Sequence, residues 1–213
     1  MDISRRDRWL RLAPGSNSSA AKPPLDDEAL IQAVVTGDAR HAGELHDRLV
    51  RVVEGTLQRL LGPSPDLDDL VQATFEQLVV SLIRGRFARA CSLSTWASSV
   101  AAHVAFNAMR AQRRARCVFD PASIADVSEP RASGNPEREV AVREQIAAVQ
   151  THLAAMSPDR AMTLLLHDVL GHDLVEMAAI LKISVAAAQS RLVRARRELL
   201  RRLGENESKG TRP

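Results

Sequence analysis

The stretch D-L-D-D-L-V-Q-A-T-F-E-Q-L-V-V-S-L-I, Asp66 to Ile83, decides the fold together with L-S-T-W-A-S-S-V-A-A-H-V-A-F-N-A-M-R-A-Q-R-R, Leu93 to Arg114. In the first segment Leu70, Val71, Phe75, Leu78, Val79 and Leu82 recur at helical spacing. In the second, Leu93, Trp96, Ala97, Val100, Val104 and Ala111 share one face. The spacing predicts two helices joined by a short turn at Gly85 and the R-F-A-R-A-C-S loop. Asp66, Asp68 and Asp69 open the first helix, and Arg110, Arg113, Arg114 and Arg116 close the second. Both placements suit the helix dipole. Three acids exceed what one cap requires, however, which points to a basic partner at one end and a polyanion at the other.

Toward the N-terminus, Asp26 is placed to cap a short helix ending near Gly37. Asp38 is placed to cap a longer one reaching Leu61, with Leu45, Leu49, Val52, Val53, Leu57 and Leu60 inward. Gly62-Pro63-Ser64-Pro65 breaks it, and Asp66 is expected to cap the next. Four such helices can bury a common core. Residues 1–25, with S-N-S-S-A-A-K-P-P, read as a disordered lead. Toward the C-terminus, residues 115–135 carry Pro121, Pro130 and Gly134 among Ser and Asp, and read as a flexible linker. Asn135-Pro136-Glu137 is a helix start, with Val140, Ile146, Val149 and Leu153 carrying the helix. Ser157-Pro158-Asp159 repeats that start ahead of Leu164, Leu165 and Val169, and Gly171 ends the segment. Asp173 and Glu176 match a capping box before a short helix of Leu174, Met177, Ala178 and Leu181. After Lys182-Ile183, Ser184 caps a last helix with Val185, Ala188, Leu192, Ala195 and Leu199 inward. A short helix, a brief turn and a long arginine-faced helix is the helix-turn-helix plan. Residues 204–213 read as a frayed tail.

Composition agrees with an all-α protein of one or two small domains. The 213 residues are rich in Ala and Leu, 45% are hydrophobic, and no alternating strand pattern occurs. Cys91 and Cys117 make no disulfide framework, which fits a reducing cytoplasm. No apolar run reaches the roughly 20 residues of a membrane span, and the first residues lack a signal core. The net charge is only +3, but arginines cluster at 110–116 and again at 191–202. Two such clusters suggest two contacts on one nucleic acid.

The chemistry implied is binding. Ser190, Arg194, Arg197 and Arg201 form one stripe of the last helix. With Gln189 and Arg191 they can meet base edges and phosphates in a major groove. His103, Asn107, Arg110 and Arg114 form a second stripe, distinct from the Trp96 face. Phe106 reads as core, with stacking on an unpaired base as the alternative. No Cys or His pair has metal-ligand spacing. No phosphate loop and no nucleophile with a base emerges, so neither cofactor nor catalytic residue is expected.

These residues match a family. D-L-D-D-L-V-Q-A-T-F, L-S-T-W-A and R-A-Q-R-R resemble the second conserved region of bacterial RNA polymerase sigma factors. M-S-P-D-R-A-M-T-L-L-L-H-D-V-L-G, E-M-A-A-I-L-K-I-S and Q-S-R-L-V-R-A-R resemble the fourth. With only a linker between them, the chain resembles the extracytoplasmic-function subfamily. The resemblance implies a region-two helical domain over residues 26–114 and a region-four helix-turn-helix domain over 136–203. It also implies a non-enzymatic initiation factor in the cytoplasm that partners core RNA polymerase, promoter DNA and, in many such factors, an anti-sigma factor. By resemblance Asp69, Leu70, Gln72 and Phe75 dock on the coiled-coil clamp of the largest polymerase subunit. His103, Asn107, Arg110, Arg113 and Arg114 read the minus-ten element. Ser184, Gln189, Ser190, Arg191 and Arg194 bind the upstream element, and the linker passes near the RNA exit path.

The chain departs from the pattern in several places. His103 stands where the family has Asn, and Asn107 where it has Asp. Ala187, Ala188 and Gln189 replace T-V-K, and Lys182 replaces the turn Gly. Two rivals follow: a stand-alone helix-turn-helix regulator, and a degenerate paralogue that docks on polymerase with weakened promoter recognition.

Overall fold

The computed structural model describes residues 26–37, 40–118 and 136–210. The expected Asp38 and Asn135 caps, the N-terminal lead and most of the linker lie outside them. Among these residues eight α-helices follow in order: α1 Asp27–Thr36, α2 Arg40–Leu61, α3 Leu67–Ile83, α4 Leu93–Val118, α5 Pro136–Ala155, α6 Pro158–Leu164, α7 Leu174–Leu181 and α8 Val185–Gly210. A π-helical turn, Leu165–Val169, continues α6. Among the described residues there is no strand. The all-α architecture therefore stands, and two boundaries move outward: α4 runs past Arg114 to Val118, and α8 past Leu203 to Gly210.

Local chemistry explains most of the ends. The Asp26 carboxylate accepts from the Ala29 N–H at 2.7 Å, and Gly37 closes α1 with φ at +84°. Gly85, at φ +63°, lets Arg86 N–H reach back to the Ser81 carbonyl at 2.9 Å and seal α3. The capping box before α7 is complete: Asp173 accepts from Val175 and Glu176 N–H, and Glu176 accepts from Asp173 N–H. Ser184 accepts from Ala187 N–H at 3.1 Å to start α8.

Two expected caps are corrected. Asp66 makes no side-chain cap bond, because its backbone, at φ −86° and ψ 9°, is outside the extended region of a side-chain cap; the preceding Ser64 hydroxyl accepts from the Asp66 N–H and its carbonyl from the Leu67 N–H. Ser157 likewise caps α6 with backbone only, its carbonyl accepting from Arg160 and Ala161 N–H. Three expected core positions lie outside: Ala111 is exposed, as are Ile146 at 47% and Val185 at 42%. Thr74 is fully buried instead, its hydroxyl donating to the Leu70 carbonyl at 2.7 Å, a match the apolar count could not register.

α4 is the axis of the molecule. One side packs on α2 and α3, which with α1 complete the first bundle; the other receives α5, α6 and α7. Ala97, Ala101, Ala102 and Ala105 let these neighbours approach closely, and Phe106 and Met109 fill the gaps. α6 and α7 pack on α8 to form the second unit. Buried side chains of both halves join one continuous apolar cluster. Polar contacts also cross between the halves. Gln150 donates to the Leu60 carbonyl at 2.9 Å, Arg59 reaches the Val169 carbonyl at 3.4 Å, and Ser98 and His172 share a hydrogen bond of 2.9 Å.

Candidate nucleic-acid and polymerase interface

The start of α3 presents an acidic tip. Asp66, Asp68, Asp69 and Gln72 are exposed. With no capping duty, the Asp66 carboxylate adds its charge to the two acids of the first helical turn. Gln72 donates to Glu76 one turn on, at 3.4 Å. Beside this tip Leu70 and Phe75 are half-buried, so each gives part of its surface to the core and part to solvent. The Phe75 ring sits 4.7 Å from the His46 ring of α2, which fixes its orientation.

The second surface runs along α4. His103, Asn107, Arg113 and Arg114 are exposed and Arg110 is half-buried. The Arg110 guanidinium lies over the Phe106 ring, 5.8 Å from its centroid, which steers that arginine along the helix. Phe106 itself is 2% exposed, so the stacking alternative is set aside and the ring is core. His103 Nδ1 lies 2.9 Å from the Ser99 carbonyl. In the loop before α4, Phe87 packs against Trp96 at 4.9 Å, and Arg89, at φ 57°, is tied to Glu28 of α1. Burial, then the nearby Glu176 charge, pushes the Cys91 thiol up from its usual range, which leaves it protonated.

α8 carries the third surface, and its arginines divide into two sets. Arg196 donates twice to Asp168 of the π-helical turn. Arg202 and Arg160 both bond Glu198. Arg191 pairs with Asp159 at 3.3 Å and its side chain is 24% exposed, against the fully outward position expected for it. These pairs clamp α8 onto α6. Gln189, Ser190, Arg194 and Arg197 face solvent, and Arg194 is steadied by the Ser190 carbonyl and hydroxyl one turn back. The sequence reading missed the clamping role of Asp159, Asp168 and Glu198. Asp168 and Arg196 are 28 residues apart, and no local spacing rule links them.

No group of three or more potential metal ligands occurs among the described residues, and no described helix is long and apolar enough to cross a membrane. The Sigma-70 region 2 model matches residues 45–115 and the Sigma-70 region 4 model residues 146–199. The RNA polymerase sigma factor CarQ of Myxococcus xanthus is 30% identical over 155 residues, covering 73% of this chain and 84% of CarQ. This chain belongs to the extracytoplasmic-function RNA polymerase sigma factors. The sigma-E factor of Escherichia coli K12 is 28% identical over 181 residues, covering 81% of this chain and 91% of its own length. A solved structure of CnrH in complex with the cytosolic domain of CnrY overlays with a TM-score of 0.48 at 22% identity, covering 84% of this chain and 97% of that one. As a sigma factor the protein binds core RNA polymerase and directs it to promoters. Such factors are initiation factors, so the surfaces above supply binding energy.

Proposed function

We propose that the two matched regions act as separate reading heads in the cytoplasm: a region-two unit over residues 26–114 and a region-four unit over residues 136–203, joined through 115–135. The acidic tip with Asp69, Leu70, Gln72 and Phe75 grips the polymerase clamp. His103, Asn107, Arg110, Arg113 and Arg114 read and help part the minus-ten element. Ser184, Gln189, Ser190, Arg191 and Arg194 hold the upstream element. An anti-sigma factor, where one exists, would cover these same surfaces, and no step requires catalysis by this chain. The observation that carries the reading is the exposed Asp66–Asp69 tip, which a duplex-binding regulator acting alone does not need. The test is size exclusion of the chain with core polymerase. The wild-type chain co-elutes at micromolar concentration, Asp69→Ala with Gln72→Ala does not, and co-elution of both would overturn the assignment of the tip.

One observation favours a second reading, in which docking is kept and upstream recognition is weak. Arg191 is drawn to Asp159, while Ala187 and Gln189 replace a hydroxyl and a cation of the family pattern. Run-off transcription decides between the two. Loss of output with Arg194→Ala, at a residue that faces solvent, supports full promoter reading, and unchanged output supports the weakened form.

A further inference from the structure

The polarity of His103 narrows what the region-two unit reads. A backbone carbonyl can only accept, so the 2.9 Å contact to Ser99 assigns the proton to His103 Nδ1. In neutral imidazole the other nitrogen then carries a lone pair and no hydrogen. Ser99 is buried and His103 exposed, so Nδ1 faces the helix and Nε2 faces outward, on the side of α4 that carries Asn107 one turn further on. The asparagine found at this position in the family can rotate its amide to donate or accept. His103, held by its own helix, offers an acceptor only.

We propose that His103 is a specificity-determining acceptor that selects a base edge bearing an exocyclic amino group, adenine N6 or cytosine N4, within the minus-ten element. The major groove displays those two amino groups as its hydrogen-bond donors, whereas guanine and thymine present acceptors at the equivalent place. An acceptor facing an acceptor gains nothing and leaves two lone pairs opposed. The inference rests on the minus-ten reading above. It goes beyond that reading in fixing which chemical group His103 meets.

The test uses holoenzyme assembled from this chain and core polymerase, at about pH 8, above the usual histidine range. A promoter library randomised across the minus-ten element is selected with the wild-type chain and with His103→Lys, which offers donors only. The two selections differ at one base pair, where the preference passes from an amino-bearing to an acceptor-bearing base on the same strand. At that pair, exchange of adenine for purine, or of cytosine for 2-pyrimidinone, removes the amino group alone. That exchange also removes a base-pairing hydrogen bond, which changes initiation by both chains alike; wild-type initiation falls about five-fold further than that of His103→Ala, the worth of one net hydrogen bond. An equal loss in wild-type and His103→Ala, or identical selections with wild-type and His103→Lys, would overturn the proposal while leaving promoter reading intact. A holoenzyme that initiates on no library member would overturn both.

Discussion

Lys182 shows what the turn between α7 and α8 costs. It sits at φ 55° and ψ 45°, the left-handed region, so that its own N–H and that of Ile183 can both reach the Ala178 carbonyl. A side chain there carries a penalty of about 1–2 kcal/mol, partly offset on exchange for glycine by glycine's greater unfolded freedom. Lys182→Gly is therefore expected to stabilise the chain by about 0.5–1 kcal/mol, read as a rise in thermal midpoint of a few degrees. An unchanged or lower midpoint would contradict the strain. This strain was legible through the resemblance, since the family pattern has glycine in the turn where Lys182 stands. The two aspartates expected as caps show where that legibility stops. Asp173 precedes Glu176 by three, so carboxylate and backbone cap each other; Asp66 has Asp69 at the same spacing, too short to reach back. Asp66 also has ψ near 9°, where Asp173 is extended, and residue types alone do not reveal that difference in backbone.

At the scale of an element, α8 divides its arginines between holding and reading. Arg197 is exposed and pairs with no acid among the described residues, so its guanidinium can meet a phosphate. Arg197→Ala is expected to weaken DNA binding by the holoenzyme across sequences alike, and to lower the slope of log affinity against log salt by about 0.9. Arg196→Gln is expected to leave that slope alone and to weaken the fold, because Asp168 loses its charged partner on α8. Hydrogen bonds from Arg196 hold the Asp168 carboxyl below the usual carboxylate range, with His167 helping, and Arg160 and Arg202 do the same for Glu198. A carboxyl depressed in the folded state stabilises above its unfolded value and loses that contribution as pH falls through the folded one. The deficit of Arg196→Gln is therefore full above about pH 4 and shrinks below it, which urea unfolding at a series of pH values would read. A deficit that grows in acid would contradict the pairing. Periodicity revealed the helix and its arginine stripe. It could not separate Arg196 from Arg197, because the separating fact is a carboxylate 28 residues away.

Across the whole molecule, the two units meet along the side of α4 that receives α5, α6 and α7, and polar contacts at helix ends flank that apolar face. Gln150 of α5 satisfies the carbonyl of Leu60 in the last turn of α2, a group that no residue of α2 itself can serve. Ser98 of α4 meets His172, and His172 in turn faces Glu176 at 3.3 Å. Beside these contacts an open groove of about 340 Å³, lined by Arg51, Arg59, Ser94 and His172 among others, separates the two sides. At this edge the interface is polar and incompletely filled, while the rest of it is apolar. Nothing in the helical patterns announced this docking, because the pairing residues lie about 74 to 110 positions apart and each has an unremarkable local reading. The contact at Gln150 is the most separable of them. Gln150→Ala removes one neutral hydrogen bond and uncovers a carbonyl at the rim, a loss of about 1 kcal/mol that falls on the docked arrangement and spares each bundle. Two fluorophores, one on each unit, should then report a broader and longer distance distribution in the free chain, while the distribution in the polymerase complex stays that of the wild type. If the free chain kept its wild-type distribution, apolar burial with the Ser98 and Arg59 contacts would hold the two units, and Gln150 would be a cap for α2 with no part in docking.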